Sequence, residues 1–372
     1  MTIRFKAPRK LLYVLLFSLI TTFLSSCAEA KEINDMAIVA GYSLDWNPDS
    51  KNYTAIGEVV SKIPDLGAVS ENMQKVVGQK PGVSAAIAHC EEYGEQQIYR
   101  SHAKILILDR ELAEKGISPL IDHVINNYET RLSVDLVMID HSDASAIWDL
   151  NTGASGIKSF DLVEMIMTGQ DNSFCTRIKA YQAAELLGKS GMSITMPIIC
   201  EDINKRIRLC GTGVFQDDEL VGVLNEKETM YLLFIQNRIK ECTLTLTEYE
   251  DKKNIDPVTI KVLRSKTGLI PEIKEDTLSL NVDIDIVARL SQTGEHLRVR
   301  GIERAMEEKI RLECDKLVKK TKYVFHSDIF GFGRIIEARH PYIFHRQGSN
   351  WNIEGFHQLP VKINCKVRLV PG

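Results

Sequence analysis

The stretch Leu278-Ser279-Leu280-Asn281-Val282-Asp283-Ile284-Asp285-Ile286 alternates apolar with polar side chains along its whole length. Successive side chains of a β-strand point to opposite faces of the sheet, so this period of two predicts a strand with one buried and one exposed face. Residues 361–369 repeat the pattern near the end of the chain. The C-terminal part therefore contains two strands that can share one sheet.

A long amphipathic helix is predicted between these two strands, from Gly301 to Lys322. Apolar residues recur there at every fourth position, at Ile302, Met306, Ile310, Cys314 and Val318. This spacing places them on one face, so we expect the helix to lie across a sheet. A hairpin over 206–224 and a helix over 226–236, capped by Asn225, precede it. Residues 205–372 are thus predicted to form an α+β domain with an antiparallel sheet and a long helix.

Alternating strands and helices are predicted for the N-terminal half. Residues 83–89, 103–108 and 132–139 read as strands, and Asp109 stands where a helix N-cap belongs. Strand, helix and strand at this spacing indicate a crossover with parallel pairing. Within the weakly patterned stretch 57–80, residues 58–62 and 70–77 are expected to form short helices.

These patterns predict a mixed α/β (α+β) protein of several domains, with mixed β-sheets flanked by helices. After a signal segment over residues 1–26, we expect an N-terminal α/β domain over 27–158. A small helical middle region would follow over 159–204, and the C-terminal α+β domain would cover 205–372.

The N-terminus has the anatomy of a signal peptide. Four basic residues precede an apolar run over 11–24, and no acidic residue occurs among the first 26 positions. The run is too short to be a convincing transmembrane anchor. It ends in Leu24-Ser25-Ser26-Cys27, the pattern of a bacterial lipobox. Cleavage is therefore expected between Ser26 and Cys27, with an S-diacylglyceryl and an N-acyl group on Cys27; the alternative is an ordinary signal peptide with a chance cysteine.

Charge and cysteine content exclude further classes. The net charge of −4 argues against nucleic acid as a partner. The seven cysteines after Cys27 contain no CxxC pair, so neither a disulfide framework nor a zinc site is expected, and free buried thiols are favoured. They are Cys90, Cys175, Cys200, Cys210, Cys242, Cys314 and Cys365.

No catalytic set or cofactor motif emerges from the sequence. His340, His345 and His357 are the best metal candidates, but their spacing matches no metal motif, and no metal site is predicted. Gly331-Phe332-Gly333 after Asp328 lacks the lysine and hydroxyl residue of a phosphate loop. The segment with Asp328, Phe330, Gly331, Phe332 and Gly333 is instead a candidate interface or structural motif, since glycines around an aromatic pair can form a tight turn or helix end.

Several segments in order resemble one family over essentially the whole chain: the Ger(x)C lipoproteins, the C subunits of spore germinant receptors. They are Cys27 with residues 31–39, then 113–120, 211–215 with 220–222, Glu228-Thr229, and 327–333 with Pro341 and Trp351 downstream. The chain departs from the family in having Ala28-Glu29-Ala30 where a tryptophan is common. It also has Pro341-Tyr342-Ile343-Phe344 where the family has Pro-x-x-Trp.

The resemblance implies an α/β fold in three small domains and a non-enzymatic subunit. Such a subunit would be held by its lipid on the outer face of the spore inner membrane. It would assemble with A and B subunits into a receptor that senses nutrients and starts germination; whether this subunit touches the nutrient is left open. Two alternatives remain: a lipoprotein solute-binding subunit of a transporter, with two similar lobes, and a secreted hydrolase that uses the three histidines.

Overall fold

The computed structural model shows two β-sheets flanked by helices, which confirms the mixed α/β class. It describes residues 10, 13, 36–60, 73–90, 92, 97–140, 143–150, 156–249, 252–275, 277–292, 299–346 and 350–371. The predicted cleavage residues Ser26 and Cys27 lie outside the described residues. Within the described part, no helix is long and apolar enough to cross a membrane.

The first sheet is built around parallel strands. Its strands are β1 Met36–Asn47, β2 Asn52–Val60, β3 Met73–Lys80, β4 Gln97–Tyr99, β5 Ile105–Leu108, β6 Asp135–Ile139, β7 Ile178–Lys179, β8 Thr195–Glu201, β9 Ile207–Gln216 and β10 Glu219–Asn225. The order is β10-β9-β8-β6-β5-β1-β2-β3, with β4 beside β1 and β7 beside β6. Strands β1, β5, β6 and β8 run parallel, and the outer strands are antiparallel.

Helices cover both faces of this sheet. They are α1 Val83–His89, α2 Arg110–Lys115, α3 Ser118–Asn126, α4 Lys158–Asp171 and α5 Ala180–Leu187, with a 3-10 helix at Ala144–Asp149. One core lies under α1, α2, α3 and α5, and a second lies under α4 and the 3-10 helix. Because both faces are covered, β5 and β6 are buried along their whole length, as the apolar runs 105–108 and 136–139 predict.

Local sequence features define both ends of α2 and the start of α3, and the predicted N-cap at Asp109 is confirmed. The Asp109 carboxylate accepts from the backbone N–H of Leu112 at 2.8 Å, and Gly116 ends the helix with φ 120°. Pro119 lies in the first turn of α3, where its missing N–H costs nothing.

Three predicted elements of the N-terminal half were wrong. Residues 83–89 form helix α1 and not a strand, because Val83, Ala86 and Ile87 are buried at helical spacing. Residues 58–60 and 73–77 of the two expected short helices belong to β2 and β3, which pair antiparallel with each other beside β1, and the rest of both ranges lies outside the described residues.

The second sheet contains β11 Cys242–Tyr249, β12 Lys252–Lys274, β13 Thr277–Gln292 and β14 Val361–Val370, in that order. The first three strands are antiparallel, but β14 runs parallel to β13, which corrects the expected all-antiparallel sheet. Parallel neighbours need a long crossover, and helix α7, Val299–Lys320, begins that connection and packs on β14. Its buried residues include the predicted face Ile302, Met306, Ile310, Cys314 and Val318.

Strands β8 to β10 extend the first sheet toward the C-terminal half. The hairpin β9-β10 joins this sheet through β9, which pairs antiparallel with β8 and places Thr195 opposite Val214. Helix α6, Glu226–Ile235, follows with the Asn225 capping box and packs into the core of the second sheet. The two sheets differ in strand order and in helix cover, so they are not the two similar lobes that a solute-binding protein would show.

The prediction that the cysteines are free, buried thiols is correct for only some of them. Cys200 and Cys210 form a disulfide between β8 and β9, which corrects the prediction that all would be free thiols; pairing of adjacent antiparallel strands brings the two together. The free cysteines among the described residues are Cys90, Cys175, Cys242, Cys314 and Cys365, all buried except the half-buried Cys365.

Candidate functional site

The carboxylate of Asp328 is the centre of the loop that the sequence singled out. The residue is completely buried, and five N–H groups donate to its two oxygens. Oδ1 accepts from the backbone amides of Phe330 at 3.1 Å, Gly331 at 3.0 Å and Phe332 at 3.3 Å. Oδ2 accepts from the backbone amide of Gly333 and from Nε1 of Trp351, both at 2.8 Å. Burial raises the pKa of Asp328, and these N–H donors oppose that rise. The carboxylate thus holds together the loop from which helix α8, Phe332–Arg339, begins.

Glycines allow a close approach of two backbones at this loop. Gly331 has φ 79°, a conformation that residues with a side chain rarely adopt. A Cβ on Gly333 would lie 2.5 Å from Cα of Gly191 and 2.7 Å from Cε2 of Trp351. Gly191 itself has φ 93° and accepts from the amide of Arg334 at 3.1 Å. No side chain fits between these two segments.

The aromatic residues of the loop point into the core. Phe330 and Phe332 stack with ring centroids 4.9 Å apart, and both pack against Phe356. Phe332 is fully buried and Phe330 is 3% exposed. Neither ring is available to a partner. Of the two roles that the sequence left open for this segment, interface or structural motif, these contacts favour the structural motif.

The loop joins the two sheets. The amide of Ser193, just before β8, donates to the Asp328 carbonyl at 2.7 Å. The hydroxyl of Ser327 donates to the Phe215 carbonyl on β9 at 2.6 Å. Since the first sheet and the core of the second meet at these bonds, the loop fixes how the two halves are held together.

The three histidines do not form a metal site. The ring of His357 lies beside Tyr323 and His326, with centroids 5.2 and 5.7 Å away, and His345 packs against Phe344. Within the described part of the chain, no group of three His, Cys, Asp or Glu side chains is arranged to hold a metal ion.

A second candidate location is the carboxyl edge of the parallel strands, where ligands commonly bind in such sheets. The side chains collected there are acidic: Asp45, Asp109, Glu111, Asp140 and Asp143. Burial raises the pKa of Asp45 to about 7 and that of Asp109 to about 8, and the neighbouring carboxylates add to both shifts. The sequence predicted Asp109 only as a helix cap and gave no signal for Asp45, because Asp45 lies in β1 and Asp109 follows β5, 64 positions later.

We expect Asp45→Asn to stabilise the protein at alkaline pH. The pKa of Asp45 is about 7 in the folded protein and lies near the ordinary carboxyl value when unfolded, so its favourable contribution is lost as pH rises through 7. Asparagine keeps an oxygen to accept from the Ala144 amide without the charge. The gain in unfolding free energy over wild type should grow by about 2–3 kcal/mol between about pH 5 and 8. Urea titrations at both values measure it, and a gain independent of pH would contradict the assignment.

Family models and relatives cover nearly all of this fold. A model described as "Spore germination protein N-terminal domain" matches residues 29–200, and one described as "Spore germination B3/ GerAC like, C-terminal" matches residues 210–370. Spore germination protein KC of Bacillus subtilis (strain 168) is 22% identical, over 96% of this chain and 95% of the relative. Spore germination protein YndF of the same organism is 21% identical, over 93% of each chain.

A solved structure has the same fold. The crystal structure of the GerBC protein matches with a TM-score of 0.60 at 17% sequence identity, covering 89% of this chain and 97% of that chain. The two family matches meet near residues 200–210, where β8 passes into β9. On these matches, the chain belongs to the Ger(x)C family, the C-type subunits of germinant receptors in spore germination.

Proposed function

We propose that this chain is a non-enzymatic, lipid-anchored subunit of a nutrient germinant receptor, acting with A and B subunits on the outer face of the spore inner membrane. The observation that carries the anchoring is the lipobox Leu24-Ser25-Ser26-Cys27 behind a basic and apolar segment. Membership in a germinant receptor family supports the assembly with other subunits.

Anchoring matters through local concentration. One acyl chain gives only marginal membrane binding, whereas the diacylglyceryl and N-acyl groups together give stable attachment. Holding the subunit at the membrane raises its concentration toward membrane-embedded partners without any new contact. The protein therefore needs no membrane-spanning element of its own to stay in the complex.

The state of Asp328 supports a structural role for this motif. Both oxygens of this carboxylate are occupied by internal N–H donors, and no surface of the residue reaches solvent. A general acid or base must reach the proton that it transfers. This motif is consequently used for building the fold and not for chemistry on a substrate.

Cys27→Ala tests the proposal in sporulating cells that carry the variant as their sole copy. Without the thiol, the diacylglyceryl group cannot be attached, so we expect loss of fatty-acid labelling, loss of the protein from the spore membrane fraction and a weaker nutrient response. Cys365→Ala serves as the control, since this half-buried thiol lies in β14 far along the chain. Full labelling and membrane recovery of Cys27→Ala would contradict the proposal.

A further inference from the structure

The amino edge of the parallel strands carries a basic cleft. The edge comprises residues 99–104 before β5, 127–135 leading into β6, and 177–181 around β7. Helix α4 closes one side, and the cleft holds about 410 Å³. Its charged side chains are four cations and two carboxylates: Lys104, Arg131, Arg177 and Lys179 against Asp135 and Glu164.

Two of these four cations make no ion pair with a described residue. Arg177 donates to Asp135 at 2.7 and 2.8 Å, and Lys179 lies 3.6 Å from the same carboxylate. Lys104 and Arg131 are exposed, and neither makes an ion pair with a residue that the structure describes. The cleft therefore presents these two cations to solvent, in a protein whose overall charge is −4.

Exposed apolar side chains surround these cations. Tyr128 is 95% exposed and Leu132 is 50% exposed in the loop before β6. Tyr181, at the start of α5, is 46% exposed, and its amide donates to the Leu132 carbonyl, so the two lie together. Phe160 and Met167 of α4 add partly exposed apolar surface inside the cleft. Tyrosine beside lysine and arginine is the composition of surfaces that meet lipid headgroups.

The opposite edge of the same sheet has the opposite charge. The carboxyl ends of β1, β5 and β6 carry the acidic group described above, where Arg110 is already paired with Asp140 at 2.9 Å and Glu114 at 2.8 Å. A negatively charged surface would attract the amino edge and repel the carboxyl edge. The sheet is thus polarised along its strand direction.

The path of the chain brings the membrane to the basic edge. Strand β1 starts at Met36 on the amino side, beside β4, and Met36 is only nine positions after Cys27. A fully extended segment of that length reaches at most about 30 Å. A lipid on Cys27 would hold the bilayer within that distance of the start of β1.

We propose that the amino edge lies against the membrane and binds anionic phospholipid headgroups through Lys104 and Arg131, with Tyr128 and Tyr181 at the headgroup level. The inference rests on the lipid anchoring of Cys27 proposed above. It adds an orientation: the acidic edge of the first sheet faces away from the bilayer.

Energy transfer to headgroup-labelled lipid tests this orientation. The full lipidated protein, in a Cys365→Ser background, is placed in vesicles of phosphatidylcholine with or without phosphatidylglycerol. A fluorophore is attached to Tyr128→Cys on the amino edge or to Asp49→Cys, an exposed turn after β1 at the carboxyl end. We expect at least about twofold higher transfer from position 128, increasing with the anionic lipid.

Charge reversal separates the cleft from the anchor. Lys104→Glu with Arg131→Glu should abolish the increase caused by phosphatidylglycerol, and Lys104→Gln with Arg131→Gln should reduce it if the reversed pair fails to fold. Arg264→Glu with Lys362→Glu, exposed cations of the second sheet, should leave it unchanged. Equal transfer from positions 128 and 49, or no effect of the anionic lipid, on vesicle-bound protein overturns this inference alone. Protein that neither carries fatty acid nor stays with vesicles overturns the anchoring as well.

Discussion

Replacing Asp328 by alanine is expected to lower the free energy of unfolding by about 3–5 kcal/mol, the range of the most damaging single substitutions. Five N–H groups would lose their only described side-chain acceptor, at a residue that has no solvent-accessible surface. Each buried unsatisfied donor costs about 1–3 kcal/mol, and relaxation of the loop recovers part of the total. Denaturant titration of the purified protein, followed by tryptophan fluorescence, measures the change.

Asp202→Ala is the matched control for Asp328. The Asp202 carboxylate also accepts from two backbone amides, those of Asn204 at 2.7 Å and Arg206 at 2.9 Å, but it lies in an exposed turn. Water can replace its bonds, so we expect a much smaller loss than for Asp328→Ala. Asp328→Asn should resemble Asp328→Ala, because the amide nitrogen would face N–H donors on one side. An unfolding midpoint for Asp328→Ala as high as that of Asp202→Ala would refute the structural role of the loop.

Sequence patterns located the elements whose cause is local. The capping box of Asn225 and Glu228 lies within four residues, and the structure shows both of its bonds. The alternation over 278–286 specifies a strand in any half-buried sheet, and β13 buries those apolar positions. Where the physical reason lies within one turn or one strand, the sequence alone was sufficient.

Long-range partners explain what the sequence did not reveal. The buried Glu58 accepts from the amides of Lys158 and Ser159, so it caps a helix a hundred positions away and lies in a strand that the pattern indicated as a helix. The parallel pairing of β14 depends on the whole crossover through α7, which no local pattern contains.

The Asp328 loop has both local contacts, which the sequence indicated, and long-range contacts, which it did not. Its motif was visible as aspartate followed by glycines and phenylalanines, and the four amides that donate to Asp328 belong to residues 330–333 just after it. The partner segments are not: Trp351 follows 23 positions later, and Gly191 belongs to the other half of the chain. The motif therefore predicted a tight turn but not the joint between the sheets.

Gly333→Ala is the second large effect, with an expected loss of about 1–3 kcal/mol or more in the free energy of unfolding. The added methyl group would meet the backbone of Gly191 at 2.5 Å and the indole of Trp351 at 2.7 Å, and neither can move without breaking the Arg334–Gly191 or the Trp351–Asp328 hydrogen bond. Gly268→Ala in β12 is the control, because no described atom lies within 4 Å of the position that its added methyl group would take.

The comparison of the two glycines separates packing from backbone freedom. Gly268 has no positive φ and open space, so alanine there should change the free energy of unfolding by less than about 0.5 kcal/mol. At Gly333 the penalty should be coupled to Asp328, since both substitutions loosen the same joint and residues in one network do not add independently. The double variant should then lose less stability than the two single losses combined. Strict additivity would mean that Gly333 and Asp328 stabilise separate parts of the fold, and the view of this loop as one joint between the sheets would be wrong.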